Sequence, residues 1–151
     1  VITADHTSMS KNEKYQTDAG IYSIPILIFD PSKSEVEIVE KTVQQIDILP
    51  TILDLLHYDL PYFAFGNAMS ANKSTYAISF SGQYYQLITD NYCLQFDGEK
   101  VIALFDRQYD KLLKDNLVNK ASVNYKKEET LLKAIIQTYN ASLIENKMSI
   151  K

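Results

Sequence analysis

The sequence predicts an α/β fold, and three observations carry that prediction. Apolar runs of strand length open the chain, four short β-rich runs separated by turn residues occupy 75–105, and an apolar stripe at helical spacing lies near the end. The chain has 151 residues, 46% hydrophobic and 23% charged, which is ordinary for a globular domain and excludes disorder and collagen-like repeats. The longest apolar stretch, 24–29, is short and contains Pro25, whereas a membrane helix needs about 20 residues. The first residues do not read as a secretion signal.

In order along the chain, Val1-Ile2-Thr3-Ala4 reads as a buried strand already in progress, with no methionine and no turn before it. The expectation is therefore part of a longer polypeptide. Residues 5–20 form a polar, turn-rich loop long enough to carry function or mobility. The run IYSIPILIF at 21–29 reads as a second buried strand, and Pro25 inside it argues for an edge position or a bulge. A charged connection follows at 32–40. Asp47 then suits a helix N-cap and Pro50 the first turn. Leu49, Ile52, Leu53 and Leu56 recur at helical spacing, so 48–57 reads as an amphipathic helix with His57 at its end. The aromatic cluster Pro61-Tyr62-Phe63-Ala64-Phe65-Gly66 reads as packing under a loop.

The β-rich runs are 75–80, 84–89, 92–96 and 100–105, separated by Ser81-Gly82, Asp90-Asn91 and Asp97-Gly98. The last pair is a strong hairpin signal. Tyr92, Leu94 and Phe96 share one face and Gln95 and Asp97 the other, as in an antiparallel sheet with one solvated side. A four-stranded meander is the simplest account. The final helix spans 124–147, with Asn124 as cap, Glu128 and Glu129 at its positive end and Lys147 at its negative end. Leu131, Leu132, Ile135, Ile136, Tyr139 and Leu143 form its core stripe. Asn72-Lys73-Ser74 and Asn140-Ala141-Ser142 match the glycosylation triplet, a pattern too common by chance to argue from.

Scarce residues exclude several chemistries. Four dispersed glycines leave no phosphate-cradling loop, and the single Cys93 leaves neither a disulfide nor a thiolate zinc cluster. With only His6 and His57, an H-E-x-x-H site is absent, and no G-x-S-x-G elbow occurs. Net charge is −4, unevenly spread: 1–67 hold ten acids against four bases, and 68–151 nine acids against eleven bases. An acidic protein without a basic stripe is not expected to bind nucleic acid. The acidic first half could line a cation site, but a solvated surface is the plainer reading.

One constellation carries chemistry: Asp5-His6, directly after an apolar strand. Catalytic groups and ligands gather at the carboxyl ends of strands in α/β sheets. A carboxylate oxygen beside an imidazole nitrogen offers two ligands of the kind that manganese, zinc or iron accept. The dipeptide alone fits equally a turn with a capping aspartate.

Three ordered segments surround this pair: Val1-Ile2-Thr3-Ala4-Asp5-His6-Thr7, Tyr22-Ser23-Ile24-Pro25-Ile26-Leu27-Ile28, and Gln45-Ile46-Asp47-Ile48-Leu49-Pro50-Thr51-Ile52-Leu53-Asp54-Leu55-Leu56. The trio resembles the C-terminal part of the sulfatase branch of the alkaline phosphatase superfamily. Its particular look is that of bacterial lipoteichoic acid synthase-like phosphoglycerol transferases, including sulfatase-type relatives in Bacteroides-type bacteria. The segment Tyr58-Asp59-Leu60-Pro61-Tyr62-Phe63-Ala64-Phe65-Gly66 also looks like what these relatives carry after the D-x-x-P-T helix.

The resemblance implies an alkaline phosphatase-like sheet, mostly parallel, with 1–4 and 21–29 in its edge region. It implies that 1–67 are the C-terminal part of a catalytic domain and 68–151 a small α+β subdomain. It also implies that Asp5 and His6 are metal ligands, for manganese above all, with calcium or zinc as alternatives; a histidine ligand favours manganese or zinc over oxygen-loving calcium. The implied reaction acts on a phosphate or sulfate ester through a covalent intermediate. Its nucleophile would lie upstream, since Thr3 and Thr7 lack the family's nucleophile context. Thr7 itself departs from the glycine that many sulfatases place after this pair. The parent enzyme would be membrane-anchored and extracytoplasmic, with the upstream polypeptide as this segment's partner and no activity expected of the segment alone. The competing expectation is a non-catalytic α+β packing module or a degenerate remnant.

Overall fold

The computed structural model describes residues 1–7, 9–71, 75–120 and 123–149; the triplet at 72–74 lies outside them. Its mixed α/β content is as expected. Strands β1 (Ile2–Thr3) and β2 (Ile26–Leu27) precede helix α1 (Ile48–Leu55). Strands β3 (Ala77–Phe80), β4 (Tyr85–Ile88), β5 (Tyr92–Phe96) and β6 (Val101–Asp106) then lead to helix α2 (Lys126–Ile144).

The meander forms as its alternation and turn residues dictate, with antiparallel strands in the order β3-β4-β5-β6. Two-residue loops join all three hairpins, each closed by a backbone bond: Ser81 N to Tyr84 O, Thr89 N to Tyr92 O and Asp97 N to Lys100 O. Gly82 (φ 89°) and Gly98 (φ 106°) take the left-handed positions that such tight loops require. The Asp97 carboxylate accepts the Glu99 and Lys100 N–H groups, and the Lys100 bond, then that of Glu99, holds its pKa below the ordinary value. Asn116 covers the outer edge of β6, accepting from Leu104 N and donating to Ile102 O.

Leu87, Leu94, Phe96 and Leu104 on one face of this sheet pack with Leu132 of α2, and burying each such side chain contributes roughly 2 kcal/mol. The opposite face corrects the expectation of a solvated side. Ile88, Cys93, Ala103 and Phe105 pack there with Ala19 and Leu113, and Gln86 and Gln95 are 1% and 6% exposed. Polar alternation signals solvent only where nothing else supplies hydrogen bonds, and here the 17–20 segment supplies them. Burial of the Cys93 thiol in this layer pushes its pKa up to about 12.

Helix α2 is shorter than the 124–147 expected. Tyr125 occupies the cap position, while Asn124 Oδ1 accepts from Lys126 N. Lys147 falls beyond the helix, ion-paired with Glu145, and its backbone N–H bonds Ser142 O. The stripe is core only in its first half: Leu132 is fully buried, whereas Tyr139 and Leu143 are 46% and 56% exposed. Tyr139 instead meets Phe65 (5.4 Å), which stacks edge-on with Phe63, so the aromatic cluster is packing as read.

The first half departs further from the sequence reading. Strands β1 and β2 are two residues long and pair antiparallel, Ile2 opposite Leu27 and Thr3 opposite Ile26. They do not lie parallel, and they are not buried: Ile2 and Leu27 are both exposed. Pro25 stands immediately before β2, where its missing N–H removes no ladder bond.

Asp47 stands at the N-cap position of α1, as expected, but its side chain makes no capping bond to that helix. A 3₁₀ turn, Gln45–Asp47, precedes the helix, with Gln44 as cap and Asp47 as its reciprocal capping-box partner. The apolar stripe also faces the unexpected way, since Leu49 and Leu56 are exposed and Pro50, Thr51 and Asp47 are buried. The reason lies in segment 66–69. Asp47 Oδ1 accepts from Asn67 N (2.9 Å) and Thr51 Oγ1 from Met69 N (3.0 Å), while the Thr51 hydroxyl donates to Asp47 O. Gly66 permits this approach, because a Cβ there would stand 2.1 Å from Ile46 O.

Helix α1 ends at Leu55 rather than at 57, in a Schellman motif. Tyr58 N bonds Leu53 O, His57 N bonds Asp54 O, and His57 sits at φ 53°. A left-handed non-glycine residue costs about 1–2 kcal/mol, so His57→Gly raises stability by about 0.5–1 kcal/mol after the greater freedom of glycine in the unfolded chain is subtracted. Urea unfolding of the two chains measures this.

Candidate metal site at Asp5 and His6

The site starts from a short strand whose end is held in place. Thr3 Oγ1 donates to Pro25 O (2.9 Å) and Gln45 Nε2 to Ala4 O (2.8 Å), so β1 is tied to both β2 and the approach to α1. Beyond Ala4 the chain turns out to solvent. Asp5 Oδ1 accepts the backbone N–H of His6 (2.9 Å), which orients the carboxylate against its neighbour. The capping aspartate of the plainer reading is therefore present, and it does not exhaust the pair.

His6 Nδ1 lies 2.8 Å from Thr7 O, so Nδ1–H donates to that carbonyl and the lone pair of the neutral ring is on Nε2. Nε2 faces Asp5 Oδ1 at 3.6 Å, with the His6 and Asp5 side chains 78% and 88% exposed. The Thr7 carbonyl, and after it the Asp5 carboxylate, raise the His6 pKa above its ordinary value. These donors fit a divalent ion. Bonds of about 2.0–2.2 Å from one ion reach both atoms, Asp5 Oδ2 adds a further lone-pair site, and a carbonyl on the far ring nitrogen is the usual support of a ligating histidine. Two donors leave the coordination incomplete. Among the described residues, no group of three or more histidine, cysteine, aspartate or glutamate side chains is placed to hold an ion.

The pair lines an open groove between the β2 region and the meander, shared with the bases Lys41, Arg107 and Lys111 and with the carboxylates Glu35, Glu37 and Glu40. Arg107 Nη1 donates to Thr89 O and Thr42 Oγ1, which fixes its guanidinium at this wall. Neither Thr7 nor Arg107 stands out in the sequence as part of a site. His57, the other histidine, terminates α1 and joins no site residue.

A family model described as Sulfatase matches residues 1–58, the segment that contains β1, the Asp5-His6 pair, β2 and α1. This part of the chain is sulfatase-like. No curated protein and no solved structure matches the chain.

Proposed function

We propose that this chain is the C-terminal part of a metal-dependent, sulfatase-like enzyme acting on phosphate or sulfate esters through a covalent intermediate, with Asp5 and His6 as two of its metal ligands. The observation that carries this reading is the convergence of Asp5 Oδ1 and His6 Nε2 within 3.6 Å, inside the segment that matches the sulfatase model. Manganese suits the donor pair best, with zinc or calcium as alternatives. Such an ion, when bound, neutralises charge on the ester oxygens and lowers the pKa of a hydroxyl nucleophile. Asp5 contributes negative charge and a hard oxygen, and His6 contributes a nitrogen already freed by the Thr7 bond. Arg107, anchored at the groove wall, supplies positive charge toward an anionic ester.

The uneven burial supports an upstream partner. Among the described residues, eighteen of the twenty-three exposed large apolar side chains precede residue 67, whereas the buried apolar ones, Pro50 apart, lie at 87 or later. Exposed apolar surface on this scale marks an interaction face. On this reading 1–67 complete a catalytic domain whose remainder, with the nucleophile and further ligands, covers α1 and the β1–β2 pair. Residues 68–151 form its small subdomain. The parent belongs to the lipoteichoic acid synthase-like group and is membrane-anchored and extracytoplasmic. None of the described helices is itself long and apolar enough to cross a membrane.

Rate enhancement needs metal, nucleophile and charge stabilisers held together. The 151-residue chain with added Mn²⁺ therefore turns over neither nitrophenyl phosphate mono- and diesters nor nitrophenyl sulfate, and the polypeptide extended upstream turns over at least one of them. Turnover by the short chain contradicts the partial-site reading. An inactive extended polypeptide favours the non-catalytic packing module or a degenerate remnant.

A further inference from the structure

We propose that Thr7 is the positioning residue that orients the His6 imidazole, and that the meander holds Thr7 in place through Asp18. The proposal rests on the metal-ligand reading of His6 and adds the device that prepares that ligand. The His6 ring is mostly exposed, so no packing sets its rotation, and its ring orientation depends on the bond from Nδ1 to Thr7 O. Thr7 is itself tied down: its Oγ1 donates to Ile21 O (2.9 Å), fourteen residues on.

Ile21 belongs to a 3₁₀ turn, Gly20–Tyr22, that has little freedom. Ile21 N bonds Thr17 O, Gly20 N bonds Thr17 Oγ1, and a Cβ on Gly20 would stand 1.7 Å from Lys14 O. This turn is fastened to the sheet. Gln86 Nε2 donates to Asp18 O (3.1 Å) and Gln95 Nε2 to Asp18 Oδ2 (2.8 Å). Gln95 Nε2 and Cys93 Sγ also donate to Gln86 Oε1, so both buried amides are held in one orientation. A sheet that needed only packing on this face would place aliphatic side chains there, because a buried amide is unfavourable unless its hydrogen bonds are made. The two glutamines specify a single seat for the 17–22 turn, and through Ile21 and Thr7 that seat sets the ring of His6.

The His6 tautomer, read from its ring nitrogens by long-range ¹H–¹⁵N NMR above the pH at which the ring is neutral, tests this directly. The wild-type chain shows Nδ1–H as the main form, against the Nε2–H preference of an unconstrained histidine side chain. Thr7→Val shifts the population toward Nε2–H and weakens Mn²⁺ binding by about 10-fold, the scale of losing a ligand's supporting hydrogen bond. Thr7→Ser restores both, and Gln95→Leu shifts the tautomer in the same direction as Thr7→Val. Meander amide signals confirm folding in each variant. A tautomer unchanged in Thr7→Val overturns the positioning proposal even if Mn²⁺ binds. A tautomer that shifts as expected in a chain with no Mn²⁺ affinity leaves the positioning intact and sinks the metal reading instead.

Discussion

Asp47→Ala lowers the stability of the chain by about 2–4 kcal/mol and its Tm by roughly 10 °C, measured by urea and thermal unfolding. The side chain is 6% exposed and accepts two backbone N–H groups from different parts of the chain, Gln44 N (2.9 Å) and Asn67 N (2.9 Å). Alanine removes both bonds, and a backbone N–H left without its acceptor costs about 1–3 kcal/mol where water cannot replace it. The loss also loosens segment 66–69 at Gly66, which lies against Ile46 O, and leaves the Thr51 Oγ1–Met69 N bond to hold it to the helix. Asp47→Asn retains one oxygen acceptor but turns an NH₂ donor toward the other N–H, so it recovers part of the stability and not all of it. A wild-type-like melt for Asp47→Ala would show that segment 66–69 is held by other contacts.

On the proposed reading, Asp5→Ala and His6→Ala each reduce kcat/KM of the polypeptide extended upstream by about 10²–10³-fold or more, the scale of losing one charge-stabilising element of a preorganised site. Both side chains are exposed, and neither packs in the core, so circular dichroism and melting temperature stay near wild type. The two changes are not additive, because an ion that has lost one of two adjacent ligands gains little from the other. Full activity in both variants would return the pair to a turn with a capping aspartate. Loss of activity with loss of fold would point to a structural role instead.

The meander was legible because its signals are local. Period-two alternation and the pairs Ser81-Gly82, Asp90-Asn91 and Asp97-Gly98 decide each hairpin without help from distant residues. The first half was not, because its long-range hydrogen bonds override hydrophobic pattern. Leu49 and Leu56 promise a buried stripe, yet Asp47 and Thr51 turn α1 toward segment 66–69 and leave the leucines exposed. Strand content at 1–4 and 21–29 was overestimated for the same reason, since only two residues of each run find a partner. Gln95 reads as solvent-facing, and nothing near it or Gln86 in sequence announces the Asp18 contact far upstream. At the site, the adjacency of Asp5 and His6 could be read directly. The role of Thr7 could not, because its hydroxyl meets Ile21, fourteen residues on, only in the folded chain.

Paramagnetic broadening by Mn²⁺ tests the central claim, that Asp5 and His6 together bind a metal. In the ¹³C,¹⁵N-labelled chain, substoichiometric Mn²⁺ broadens the His6 ring and Asp5 side-chain signals first and together, and His6→Ala abolishes the effect at Asp5. Broadening confined to the acidic stretch around Glu35, Glu37 and Glu40, with His6 and Asp5 untouched, would contradict it.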